Sequence, residues 1–415
     1  MKYNHSVFKN GLKIISAEIK DFEIANISIW FKAGYGYESE RECGYTHLFE
    51  HLLFCGTKKR PNNYAVNVEK DEIGAVSNGF TLKDQLYFLI QSGRDYIDQM
   101  LDLLSDMIRN SSLKEKFIEN EKKVVMHELR KIQADRLGSA NRLALENFFA
   151  GHPLAKHILI SGSTVQDATH QDLIKFYKKF CIPTRAAVVV ASNLTHKKVT
   201  SLCNKYFGDW SVNKSLNNIP DVKGISRINK RKYFFKRDSG PQAILSINFY
   251  APEVNKIKEN AALTLIANYL GYGFTGLLYK ELRIKRGLIY DLGVSNYSYE
   301  NVGQFNIWTQ TNEPQKVFDI IKETIGRLPS IFENESLGML KVQFINSLNR
   351  KVANPENLIK FLGRSFTINA KIKTPEEYIK VIKSVSQKDV INVIKKYLIP
   401  DNRYVFIQGP EEIRI

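Results

Sequence analysis

The stretch Gly44-Tyr45-Thr46-His47-Leu48-Phe49-Glu50-His51-Leu52-Leu53-Phe54 sets two histidines four residues apart around a glutamate. On an α-helix, positions i and i+4 lie on one face, so the imidazoles of His47 and His51 can converge on one ion with Glu50 beside them. Neutral imidazoles bind a divalent zinc ion without cancelling its charge, and a nearby carboxylate can take a proton from a metal-activated water. Zinc brings the pKa of that water to roughly 7, so a base as weak as a glutamate suffices. The apolar neighbours Leu48, Phe49, Leu52, Leu53 and Phe54 predict a buried helix, where ionisable groups need a partner such as a metal. The alternative is a helix bearing two unrelated histidines. With 8 His among 415 residues, a chance H-x-x-E-H arises in roughly one or two of a hundred such chains.

A catalytic zinc site commonly takes three protein ligands and keeps one position open. A second helical stretch, Phe117 to Arg130, offers the third. Glu121 and Glu128 are seven residues apart, two turns, and so share a face. Spacing alone leaves open which of the two is the ligand and which its support.

His51, then 76 residues, then Glu128 resembles the H-x-x-E-H-x76-E signature of the pitrilysin/insulysin metallopeptidases, the inverted zincins. The likeness extends from Gly44 to Thr57, where Phe54-Cys55-Gly56-Thr57 resembles the turn after the family's zinc helix. Cys55 stands where a small basic residue is usual. Carried over by position, the resemblance implies that His47, His51 and Glu128 bind one zinc per chain, that Glu50 activates the water, and that Glu121 is the acidic residue supporting the ligands. Asn78-Gly79-Phe80-Thr81 resembles the family's Asn-Ala-x-Thr edge strand, with Gly79 in place of alanine. Asn78, Gly79 and Phe80 would then hold an extended peptide as an added strand. Without the resemblance, the same stretch reads equally as a plain hairpin arm.

Leu282-Arg283-Ile284-Lys285-Arg286-Gly287-Leu288-Ile289-Tyr290 resembles the Leu-Arg-x-x-x-Gly-Leu-x-Tyr segment of the same peptidases, whose arginine and tyrosine bind substrate and polarise the scissile carbonyl. A guanidinium and a phenol suit that task, since both donate where negative charge develops. Taken alone, Arg283 reads as a solvated helix face and Tyr290 as a packed strand residue.

At 415 residues, with 43% hydrophobic and 11% aromatic content, the chain is expected to form two folded domains. A polar stretch near Pro220 places the division at 1–220 and 221–415. An internal repeat supports it: Asp172, Lys178, Lys179, Ile182 and Pro183 recur as Asp389, Lys395, Lys396, Ile399 and Pro400, each 217 positions on. Strand patterns alternate with amphipathic helices, and Ile27, Ile29 and Phe31 mark a half-buried strand. The fold class is therefore α+β, two similar domains each with an antiparallel-rich sheet packed with helices. The resemblance adds that they form half of a clamshell chamber. The second half has no H-x-x-E-H; because the chain carries both the zinc motif and the Arg/Tyr motif, the resemblance implies a homodimer in which Arg283 and Tyr290 serve the partner's zinc, with a heterodimer of related halves as the other arrangement.

The formal charge of +17 invites a nucleic-acid reading, but acidic residues interleave with the lysines and no base-reading motif occurs, so no nucleic-acid partner is expected. A positive surface would instead steer acidic peptides inward. No secretory signal and no run of 18 apolar residues is present, and Cys43, Cys55, Cys181 and Cys203 fall at no disulfide spacing. A cytoplasmic setting without a membrane partner is expected. The function expected is a zinc endopeptidase acting on unfolded peptides or a leader segment; the alternative is a non-catalytic or partner-dependent scaffold subunit of the same family.

Overall fold

Runs of β-branched and aromatic residues build two sheets in the computed structural model, which describes residues 1–156, 162–211 and 232–415. The first sheet holds β1 (Lys2–Val7), β2 (Lys13–Glu18), β3 (Ile24–Phe31), β4 (Val76–Thr81), β5 (Leu86–Gly93) and β6 (Ala186–Ser192), in the order β1-β2-β6-β3-β5-β4. The second holds β7 (Tyr233–Arg237), β8 (Ala243–Ala251), β9 (Ile289–Ser298), β10 (Gly303–Thr311) and β11 (Arg403–Gly409), in the order β7-β11-β8-β10-β9. Each is antiparallel apart from one pair, β2 with β6 and β7 with β11. Five strands therefore match in order, and β1 is an addition at one edge.

In chain order the helices are α1 (Tyr45–Leu52), α2 (Asn63–Glu72), α3 (Ile97–Arg109), α4 (Glu115–Ala134), α5 (Arg136–Phe148), α6 (Gly162–Asp167), α7 (His170–Phe180), α8 (His196–Phe207), α9 (Ile257–Gly271), α10 (Leu277–Tyr279), α11 (Pro314–Asn334), α12 (Leu337–Ala353), α13 (Pro355–Thr367), α14 (Pro375–Ser384) and α15 (Gln387–Tyr397). The repeat seen in the sequence is structural. Helices α7 and α15 both open with a capping box, Thr169 with Asp172 and Ser386 with Asp389. Each ends before a prolyl turn, at Pro183 and Pro400, that leads into β6 and β11.

The chain forms two compact units: Met1–Ala134, Lys156–Val222 and Lys351–Thr374 in one, Asp135–Ala155, Lys223–Arg350 and Pro375–Ile415 in the other. The boundary expected at 220/221 lies outside the described residues. Two segments also cross it. Helix α5 follows α4 in sequence yet packs on β8 and β11, and α13 packs on β3 and β6. Both are thirteen residues long, capped by Asp135 and Asn354. Each sheet thus carries on one face a helix contributed by the opposite half of the chain.

This exchange corrects the reading of β3. Its alternation predicts burial on one face, but Ser28 and Trp30 on the other face are buried too, because α13 lies over them. Trp30 stacks on Tyr87 at 3.8 Å, and Gly363 of α13 sits so close that a Cβ there would be 2.1 Å from the indole nitrogen. Arg364 pairs with Asp84 through both of its terminal nitrogens, at 3.0 and 3.1 Å. In the second unit, Ala140, Ala144 and Phe148 of α5 pack against Ile244, Tyr250 and Phe406. No helix among the described residues is long and apolar enough to cross a membrane.

Candidate metal centre

Helix α1 begins at Gly44, whose φ of 89° suits a residue without Cβ. Its first amides are held by a residue upstream: the Glu38 carboxylate accepts the N–H of Gly44 at 2.9 Å and of Thr46 at 2.8 Å. Leu48, Phe49 and Leu52 fill the core on one side of α1, which turns His47 and His51 together toward α4. On α4, Ile118, Val125 and Leu129 are buried, and Glu121 and Glu128 look back at the histidines.

Three ligand-type atoms meet there. Nε2 of His47 and Nε2 of His51 are 3.3 Å apart, and Oε2 of Glu128 is 3.5 Å from each. Zinc–ligand bonds near 2.0–2.1 Å in a tetrahedron put neighbouring ligand atoms about 3.3 Å apart, so the three separations fit one zinc ion. Among the described residues, His47, His51 and Glu128 are the group placed to hold a metal.

Glu121 completes the arrangement from behind. Its Oε2 lies 3.1 Å from Nδ1 of His51. Holding the proton on Nδ1 leaves Nε2 with its lone pair facing the other two ligands. Burial lowers the pKa of His51, but the hydrogen bond to Glu121 and the charges of Glu128 and Glu50 more than reverse that, and the net shift is upward. The same hydrogen bond holds Glu121 below the usual carboxylate range. Cys55 lies beside Glu121, and burial pushes its thiol up to about 12, so it is an uncharged neighbour.

Glu50 stands on the same helix as both histidines. Burial raises its pKa, opposed by a 2.5 Å hydrogen bond from the Thr81 hydroxyl. Thr81 ends β4, the open edge of the first sheet. Asn78 is exposed there, and its Oδ1 accepts the N–H of Gly79 at 2.9 Å. The Phe80 ring projects from the face opposite Thr81 and stacks on Tyr87 at 4.8 Å.

Residues 13–162 match the family description "Insulinase (Peptidase family M16)", and residues 167–341 match "Peptidase M16 inactive domain". The chain belongs to peptidase family M16. An "Uncharacterized zinc protease" of Rickettsia felis is 26% identical over 423 residues, covering 99% of this chain and 98% of that protein. "Cytochrome b-c1 complex subunit 1, mitochondrial" of Caenorhabditis elegans is 25% identical over 414 residues, covering 95% of this chain and 85% of that protein. The crystal structure of a protease from Helicobacter pylori superposes with a TM-score of 0.89 at 20% identity, covering 99% of this chain and all of that one; this likeness is one of fold.

Seen as an M16 chain, the structure gathers His47, His51, Glu50, Glu121 and Glu128 within the first unit, with Asn78, Gly79 and Phe80 on β4 of the same unit. Arg283 and Tyr290 lie together in the second. The expected single helix ending at Gly287 is instead the short α10 followed by a wider π-type turn over Lys280–Ile284, with Gly287 at φ 62°. Arg283 donates to the Ile289 carbonyl at 3.0 Å and lies 4.8 Å over the Tyr290 ring. Tyr290 is 67% exposed, which removes its reading as a core residue. Sequence reasoning missed Glu38 and gave Thr81 no role. A glutamate six residues ahead of a helix has no local signature as a cap, and a strand threonine has none as a hydrogen-bond donor.

Proposed function

We propose that this M16 chain is a zinc-dependent endopeptidase acting on extended, unfolded peptides. The observation that carries the reading is the convergence of His47, His51 and Glu128 at tetrahedral ligand spacing, with the Glu50 carboxylate on the same helix. Zinc held by these residues would supply Lewis acidity, polarising a peptide carbonyl and acidifying water.

The chain's own groups supply the rest. Glu50 takes the proton of the attacking water and returns it to the leaving amide nitrogen, a shuttle suited to a carboxyl whose pKa burial has raised. The open edge of β4 pairs with the substrate backbone as an added strand, which admits extended chains and rejects folded ones. Arg283 and Tyr290 hold the peptide and donate to the carbonyl oxygen, in a homodimer where each copy serves the other's metal.

Elemental analysis, with cleavage of unstructured peptides before and after chelation, tests the proposal. One zinc per chain and chelator-sensitive cleavage are expected. Glu50→Gln is expected to keep the zinc while lowering kcat by about 10²–10⁴-fold, the range for losing a general acid–base group. A second reading, a non-catalytic subunit, is favoured by the relative named as a cytochrome b-c1 component. Stoichiometric zinc without cleavage of any peptide, or no zinc after reconstitution, would give that reading first place.

A further inference from the structure

The two sheets match in strand order but differ on one face. In the first, Trp30 of β3, Tyr87 of β5 and Phe80 of β4 stack in a row on the face where α13 lies. On the corresponding face of the second, α5 packs on β8 and β11. The strip beside it, over β8, β10 and β9, is an open groove of about 320 Å³. Ser246, Asn248, Gln304 and Asn306 form its floor, and Trp308 and Tyr297 give it aromatic walls. No residue lining it is charged, in a chain where 25% of residues are. That lining suits neither an ion nor a metal, and its buried amides do not suit a purely apolar ligand.

We propose that this groove is a binding site for a neutral saccharide. The inference stands apart from peptide hydrolysis and draws on residues of the second unit alone.

The floor is pre-set by its own hydrogen bonds. Oδ1 of Asn248 accepts from Nε2 of Gln304 at 2.7 Å and from Nδ2 of Asn306 at 2.8 Å. Oγ of Ser246 accepts from the amides of Asn306 and Asn248 at 3.0 and 3.1 Å. These bonds commit the NH2 groups of Gln304 and Asn306 to the floor, and their carbonyl oxygens make no hydrogen bond among the described residues. Nor do the Ser295 hydroxyl and the Trp308 Nε1–H at the groove's other side. Acceptors and donors thus stand side by side, and a sugar hydroxyl, which donates and accepts at once, can pair with both kinds. Gly293 makes room for the indole to lie across β9, since a Cβ there would be 1.9 Å from its Nε1. Aromatic walls give the C–H face of a sugar ring an apolar surface to pack on. An extended peptide is served less well. Strands β8 and β10 are each paired on both sides, so the floor recognises a ligand by side chains and has no backbone edge to offer. The volume lies at the small end of ligand sites, which run from about 300 Å³ upward, and fits a mono- or disaccharide.

Tryptophan emission reads the groove directly. Of the three tryptophans, Trp30 and Trp210 are buried in the first unit, and Trp308 lines the groove. The full-length chain is titrated with glucose, N-acetylglucosamine, maltose and cellobiose, following emission and calorimetric heat, alongside Ser295→Arg and Asn306→Ala. Ser295 is exposed, so an arginine there fills the groove and leaves the core alone; a parent-like thermal melt checks that. At least one of the sugars is expected to give a saturable change in the parent, lost in Ser295→Arg. Asn306→Ala is expected to weaken it about tenfold, as losing a hydrogen-bonding group does. No binding of any of the four at millimolar concentration, or binding unchanged in both variants, would overturn the proposal. So would tighter binding of an uncharged Asn/Gln-rich peptide that is likewise lost in Ser295→Arg, which would make the groove a peptide site.

Discussion

At His51 one ring serves two neighbours. Nε2 faces His47 and Glu128, while Nδ1 is held by Glu121, a contact that favours the tautomer leaving Nε2 open toward those two residues. Glu121→Ala is accordingly expected to weaken zinc binding by about 10–100-fold, measured by competition with a chelating dye, because outer hydrogen-bond partners typically contribute that much. Glu38 matters through protonation. Burial pushes its carboxyl from an ordinary 4.5 up to about 7, despite the amides of Gly44 and Thr46 that it accepts. A carboxyl raised in this way favours the folded state in its protonated form. Its contribution is fully present below pH 4.5 and is lost as pH rises through 7. Linkage sets the loss at about 3 kcal/mol or less. Thermal melts across that window should show the parent losing stability relative to Glu38→Gln, which carries no titrating group there.

Among the elements, the helices divide into those whose role is written locally and those whose role is not. The shared face of His47 and His51 on α1 was legible because the two lie four residues apart and their apolar neighbours mark the opposite side. The paired capping boxes and prolyl turns of α7 and α15 were legible as a repeat for the same reason. Helix α13 was not. Its periodicity says that one face is buried, but a buried face carries no label for the sheet that covers it. Nor could the alternation in β3 announce a second covered face when the covering helix lies more than 300 residues away in sequence. Gly363 marks that contact. Gly363→Ala, which would press a methyl into the Trp30 indole, is expected to cost about 1–3 kcal/mol, as overpacked cores do, seen as a lowered denaturant midpoint with an unchanged slope. Thr81 and Glu38 escaped for a related reason. Their partners are fixed by how strands and helices come together, and residue type at those positions gives no hint of it.

For the whole molecule, the reciprocal placement of α5 and α13 means that neither half of the sequence contains a complete unit. Residues 1–220 expressed alone lack α13 and leave Trp30 and Tyr87 without their cover. That fragment is expected to bind a hydrophobic dye and aggregate, and co-expression with 221–415 is expected to give a soluble complex. Independent folding of 1–220 to a sharp, dye-free melting transition would contradict this account.

The same exchange sets a timetable during synthesis. The last strand of the first sheet ends at Ser192, but the helix that covers it starts at Pro355. At roughly 5–20 residues per second of translation, the gap is on the order of ten to thirty seconds. Throughout it, the unit carrying His47 and His51 is a nascent sheet with one greasy face bare. That unit stays incomplete until Pro355–Thr367 has been made, and a cell making this protein must shield the face until then.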